Sequence, residues 1–207
     1  MSSLRGHQTP PTIQPNERLV TPKPPIQYVT DQPALESLCR TLRQSPRLAL
    51  DTEFVGEDTF IPRLELIQVA TATTAAVIDF PAVQASGSLD VFWALICDAK
   101  IDHAGRQDLD LFAIHAGQIP KPFFDTQIAA AMVGYGAQVA YANLVQRLHG
   151  TKLAKAHTFT NWSARPLSGD QIAYALEDVE FLLSIHAHLQ DRLNALGRSE
   201  WVSEEFA

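Results

Sequence analysis

Three apolar runs crowd the first half of the chain: RLALDTEF (47–54), RLELIQVAT (63–71) and AAVIDF (75–80), separated by turn-like stretches. Runs of this length bounded by turn residues read as strands, so the early chain is committed to a sheet. IQYV (26–29) adds a candidate first strand. Between it and the three runs, TDQPALESLCRTLRQS predicts a helix. Asp31 is placed to cap it and Pro33 suits its first turn. Leu35, Leu38, Cys39 and Leu42 recur at i, i+3, i+4 and i+7 and form one apolar face. Later segments are helical: SLDVFWALICDA, then, after the short strand KIDHA, RQDLDLFAIHAG closed by Gly117. DTQIAAAMVG, VAYANLVQRLHG and a long run from about Ser168 to Leu196 follow. Strands early, alternation in the middle and helices late predict an α/β domain with a central sheet flanked by helices. The 207 residues suffice for one full domain, expected over 26–207. Residues 1–25 are rich in Pro, Gln, Thr and Asn and read as a flexible extension.

Acidic residues gather at the ends of these elements. Asp51 and Glu53 close the LALDTEF strand, and strand residues two apart share a face. Asp108 begins a helix directly after a strand, on the side of an α/β sheet where sites collect. Tyr174 and Asp178 in YALEDV are four apart, one helical turn on one face. Taken singly, each acid reads more readily as a solvated charge, a helix cap or half an ion pair than as a metal ligand. Taken together, four carboxylates in one pocket cannot all ionise without cations. Two divalent ions would balance them, and all-oxygen donors suit Mg²⁺ or Mn²⁺. Such a pair, roughly 4 Å apart, clamps the attacking and leaving oxygens of a phosphodiester. A phenol beside them orients or deprotonates the attacking water.

DTEF, HAGRQDL and YALEDV, in this order, resemble the three exonuclease motifs of the DEDD superfamily, and the tyrosine four before the last aspartate resembles its DEDDy branch. TFIPRLELIQVAT, FFDTQIAAAMVGYG, YANLVQRLHG and NWSARPLSGDQIAYALEDVEFLL are similar to the catalytic domain of the ribonuclease D family, over roughly residues 28 to 200. The resemblance implies a ribonuclease-H-like 3′–5′ exonuclease fold with a central mixed sheet. It implies that Asp51, Glu53, Asp108 and Asp178 hold two metal ions, that Tyr174 positions the water, and that Glu53 contacts the terminal 3′-hydroxyl. The implied activity is release of nucleoside 5′-monophosphates from the 3′ ends of single-stranded RNA, in tRNA 3′ processing or RNA turnover. Departures from the family pattern lie where a strand would run: Gly56 and Asp58 at commonly basic positions, Phe60 at a common Tyr, Phe159 at a common Arg and Asn161 at a common Asp. Lost cations weaken phosphate binding, which keeps DNA open as the substrate and, as a different class, a non-catalytic nucleic-acid-binding domain. The chain stops at Ala207, where longer members continue into helical substrate-binding domains. It is either a compact enzyme or part of a longer protein.

Other residues bear on the substrate. Arg147, His149, Lys152, Lys155, His157 and Arg165 make a candidate basic rim, with Phe159 or Trp162 placed to stack a base. The alternative is a solvated loop with Trp162 packed on the domain. Arg106 and Gln107 either touch the scissile phosphate or cap a helix. His186 and His188 diverge on their helix, which makes a poor zinc pair and predicts surface positions, whereas His103 is expected to be buried. The net charge of −7 argues against coating a duplex by bulk charge, not against gripping one strand in a groove. No apolar run reaches a membrane span and the first residues show no apolar signal core. Cys39 and Cys97 leave a disulfide open, though their apolar settings favour a reduced, cytoplasmic interior. Nothing in the sequence addresses oligomeric state.

Overall fold

The computed structural model describes residues 24–56, 61–96, 100–101, 105–153 and 161–205. Five strands form one mixed sheet in the order β1-β4-β3-β2-β5: β1 is Ile26–Val29, β2 Leu48–Val55, β3 Arg63–Ala70, β4 Ala75–Asp79 and β5 Lys100–Ile101. β2, β3 and β4 run antiparallel as a meander, while the outer strands β1 and β5 join in parallel. The expected mixed sheet flanked by helices is therefore present. Apolar side chains fill both faces, and β3 is buried from Leu64 to Ala70. One face carries Leu48, Leu50, Ile67 and Val69 against α1 (Gln32–Leu42), α2 (Phe80–Ser86), α3 (Asp90–Ile96) and α4 (Arg106–Ala116). The other carries Ala49, Leu66, Ala70 and Val77 against α5 (Thr126–Met132), α6 (Tyr141–His149), α7 (Gly169–Glu180), α8 (Leu182–Ala195) and α9 (Ser199–Glu205).

The helix signals act where they were read. The Asp31 carboxylate caps α1 through the Ala34 N–H at 2.8 Å, and Leu35, Leu38, Cys39 and Leu42 are its buried face. Cys39 is a buried free thiol; Cys97 and His103 lie outside the described residues, as do residues 1–23 of the expected extension.

Three differences have identifiable physical causes. The run from Ser168 to Leu196 is two helices rather than one, broken at Phe181, whose backbone N–H turns to the Tyr141 hydroxyl at 3.2 Å. Asp79 ends β4 and at once caps α2 by accepting from the Ala82 N–H, so a helix begins where only a strand was expected. His186 is buried at 7% exposure, edge-on to Phe124, because it lies on the face of α8 that meets α5. The expectation of a surface position for it fails. His188 does diverge from it and shares a 2.8 Å hydrogen bond with the Tyr135 hydroxyl.

α7 starts in a reciprocal cap. The Ser168 hydroxyl accepts from the Gln171 N–H at 3.2 Å, and the Gln171 side chain accepts from the Ser168 N–H at 2.9 Å. Ser168→Ala is expected to cost about 1 kcal/mol, a fall in melting temperature of about 2–4 °C by calorimetry for a chain of this size. No change would mean that the cap adds nothing to α7.

Candidate active site

Asp51 and Glu53 project from β2 onto the face covered by α7, because Ala49 ahead of them packs on that side while Leu48 and Leu50 pack on the other. The register slips between Glu53 and Phe54, where β3 carries an extra residue, Glu65, between the partners Leu66 and Leu64. Bulges of this kind re-aim side chains near sites. α7 packs across β2, β3 and β4 and brings Asp178 down onto the same spot. One carboxylate oxygen from each of Asp51, Glu53 and Asp178 lies within 4.8 Å of the others.

Asp108 is not part of that trio. α4 packs on the opposite face of the sheet, and the Asp108 carboxylate accepts a hydrogen bond from the Thr52 hydroxyl. Thr52, which lies between Asp51 and Glu53 in β2, holds the Asp108 carboxylate at the strand through its hydroxyl and its backbone N–H. It is buried at 6% exposure and close enough to Glu53 to act on its charge.

The electrostatics follow from burial and crowding. Burial, then the charges of Asp178 and Asp108, push the Glu53 carboxyl up to about 8. Burial and then Glu177 raise Asp178 to about 7. Asp108 rises to about 6, mainly by burial, with the Thr52 hydrogen bond pulling the other way. Burial and the neighbouring Asp178, Glu53 and Asp51 raise the Tyr174 phenol to about 12, which places Tyr174 beside the trio. Holding several negative charges in a partly dry pocket costs free energy that a divalent cation relieves. Three carboxylates with no sulfur or imidazole are the donor set of a hard cation, so the residues fit one.

Two contributors escaped the sequence reading. Thr52 fixes Asp108, but a threonine between two acids gives no signal of its own. Tyr141 braces the end of α7: its hydroxyl donates to the Glu177 carbonyl at 2.9 Å and accepts from the Phe181 N–H. No spacing rule links residues so far apart in sequence.

The expected rim is largely turned inward. Trp162 is 6% exposed and stacks on Tyr174, centroids 6.1 Å apart and planes 27° apart, so its ring belongs to the domain. The Arg165 guanidinium is paired with Asp79 and Glu65. His149 is buried and shares a 3.0 Å hydrogen bond with the Ser184 hydroxyl, and Arg147 donates to the Tyr135 carbonyl at 3.2 Å. Lys152 is exposed, as are Arg106 and Gln107 at the start of α4. Lys155, His157 and Phe159 lie outside the described residues, as do Asp58 and Phe60.

Residues 26–194 match the family model described as 3′–5′ exonuclease. Ribonuclease D of Granulibacter bethesdensis is 44% identical over 182 residues, which is 86% of this chain and 46% of that protein. The chain thus spans about half the length of the curated relatives it matches. Among solved structures, Escherichia coli RNase D, an exoribonuclease involved in structured RNA processing, matches with a TM-score of 0.83 at 37% identity, over 87% of this chain and 48% of that one. Brucella melitensis NrnC matches with bound Mg²⁺ (TM-score 0.71, 28% identity, 87% of each chain) and bound to pGG (TM-score 0.74, 28% identity, 89% of each). Among the described residues, no helix is long and apolar enough to cross a membrane.

Proposed function

The chain belongs to the 3′–5′ exonuclease family, and on that premise we propose that it is an exoribonuclease of the ribonuclease D type. It would shorten single-stranded RNA from the 3′ end and release nucleoside 5′-monophosphates, in tRNA 3′ processing or RNA turnover. The observation that carries this reading is the carboxylate trio of Asp51, Glu53 and Asp178 beside the Tyr174 phenol. RNA is favoured over DNA because curated relatives at 44% and 43% identity are ribonucleases D. A reduced cytoplasmic setting belongs to the same reading, supported by the free thiol of Cys39.

Asp51, Glu53, Asp108 and Asp178 would hold divalent cations, two of them and either Mg²⁺ or Mn²⁺, with Asp108 brought to the trio by Thr52. Bound there, such ions supply Lewis acidity that lowers the pKa of a water and neutralises charge at the departing oxygen. The chain's own residues do the rest. Asp51 and Glu53 face the substrate end from a rigid strand, and Glu53 is the residue assigned to the terminal 3′-hydroxyl. In the metal-free chain burial and the neighbouring carboxylates raise the Tyr174 phenol to about 12, and beside bound cations it would orient the attacking water through its hydroxyl. Asp108, held by Thr52, adds a fourth negative charge close to Glu53.

Tyr174→Phe is expected to lower kcat on the order of 10²-fold with KM changed little, read from steady-state hydrolysis of a single-stranded RNA. An unchanged kcat would make the phenol purely structural. The reading as a whole is tested with RNA labelled on its last nucleotide. A labelled nucleoside 5′-monophosphate as the first product supports it; labelled oligonucleotides as first products exclude a 3′–5′ exonuclease. The same strand made as DNA settles the sugar, and faster loss of DNA would move the substrate.

A further inference from the structure

Arg165 belongs to the candidate basic rim, yet every nitrogen of its guanidinium is engaged within the protein. Nε donates to Asp79 Oδ2 at 2.5 Å and Nη2 to Asp79 Oδ1 at 3.0 Å. Nη2 also approaches the Glu65 carbonyl and carboxylate at 3.4 Å. Nη1 donates to the carbonyls of Trp162 at 2.5 Å and Ala164 at 3.0 Å. A guanidinium has five N–H donors, and six acceptors surround this one. The Tyr28 hydroxyl completes the anchor by donating to Asp79 Oδ2 at 2.5 Å. Burial pushes the Asp79 carboxyl up, but the hydrogen bonds from Arg165 and Tyr28 prevail and hold it below its ordinary value. The pair is charged and closed.

What this anchor holds is the backbone of Trp162, whose ring stacks on Tyr174. Resting on the function proposed above, we propose that Arg165 is a positioning residue: locked to Asp79 and Tyr28, it seats Trp162 against Tyr174 and so fixes the phenol beside the carboxylate trio. The connection runs from the neighbouring strands β1 and β4, through the loop before α7, to the helix that carries Tyr174 and Asp178. Phe54 to Leu64 pairing gives the anchor its second fixed point, because the bulged Glu65 accepts from Arg63 Nε at 2.7 Å and from the Ser163 hydroxyl at 2.9 Å, beside Arg165. A misplaced catalytic group is costly even when the shift is small, so the loss should fall on turnover rather than on substrate binding.

The anchor borders an open cavity of about 850 Å³, so truncating it leaves no sealed void of the kind that destabilises cores. The variants are Arg165→Met and Asp79→Asn, the latter keeping an acceptor for the α2 cap. Tyr28→Phe, which removes one hydroxyl, serves if either fails to fold. The first readout needs no activity: NMR of ring-labelled Tyr174 in the metal-free protein. The ring protons are expected to move as the Trp162 indole leaves them, in proteins whose circular dichroism is unchanged; unmoved ring protons in Arg165→Met overturn the proposal. The second is a double-mutant cycle. Arg165→Met should lower kcat on the order of tenfold with KM within about twofold, and in a Tyr174→Phe background it should cost less than about twofold. A raised KM at constant kcat would mean that Arg165 touches the substrate. An equal loss in both backgrounds would mean that it acts apart from Tyr174. If Tyr174→Phe alone keeps full turnover, it is the role of the phenol that fails, while the ring shifts still report on the positioning.

Discussion

Asp178→Asn is expected to reduce RNA hydrolysis on the order of 10³-fold, the scale of losing a principal electrostatic element from a preorganised site, while making the metal-free protein more stable at pH 8. The two effects have one cause. Asp178 is the only member of the trio supplied by α7, and asparagine keeps its shape but cannot complete the anionic cradle. Burial and Glu177 raise the Asp178 carboxyl to about 7, so at pH 8 its ionised form strains the empty site, and removing that charge relieves the strain. Activity and melting temperature should therefore move in opposite directions. A variant that loses both would show a folding defect instead, and one that keeps its activity would remove Asp178 from the chemistry.

The second large effect is linkage between pH, cation and stability. Glu53 rises from 4.5 to about 8, Asp178 from 3.8 to about 7 and Asp108 from 3.8 to about 6 in the folded chain. For each, the folded state binds its proton more tightly than the unfolded state. Their contribution to stability is thus greatest below pH 4 and is lost as pH rises toward 8. A divalent cation at a hundred times its dissociation constant restores about 2.7 kcal/mol, a rise of about 5–10 °C in melting temperature for a chain of this size. Because the acids must lose protons to bind it, the Mn²⁺-induced rise should be larger at pH 8 than at pH 5.5. Scanning fluorimetry at the two pH values reads this, and an equal or absent shift at pH 8 would count against a cation site in the trio.

Much of this was legible because local rules and the fold agree. Alternation in LALDTEF put Asp51 and Glu53 on one face, and the i, i+4 spacing put Tyr174 one turn from Asp178; both place side chains at the site. The cap at Asp31 and the face of Leu35, Leu38, Cys39 and Leu42 were equally local. What could not be read depends on which sheet face a helix covers. Asp108 comes from α4, whose apolar residues pack on the other face from α7, and its contact with Thr52 is what brings it close to Glu53. His186 was assigned to the surface because its own helix gave no view of α5. Arg165 looked like a free cation beside a tryptophan, since its partners Asp79 and Glu65 are 86 and 100 residues away. The break at Phe181 likewise depends on a hydroxyl from α6. In each case the deciding partner comes from another element.

The decisive observation is a gel time course with single-stranded RNA labelled at its 5′ end, run with Mn²⁺, with Mg²⁺ and with chelator, beside the Asp178→Asn protein. A ladder shortening one nucleotide at a time from the 3′ end, present with a cation and lost with chelator or the substitution, is the expected result. RNA that stays full length with either cation, while the protein still binds it, would contradict a catalytic role for the carboxylate trio.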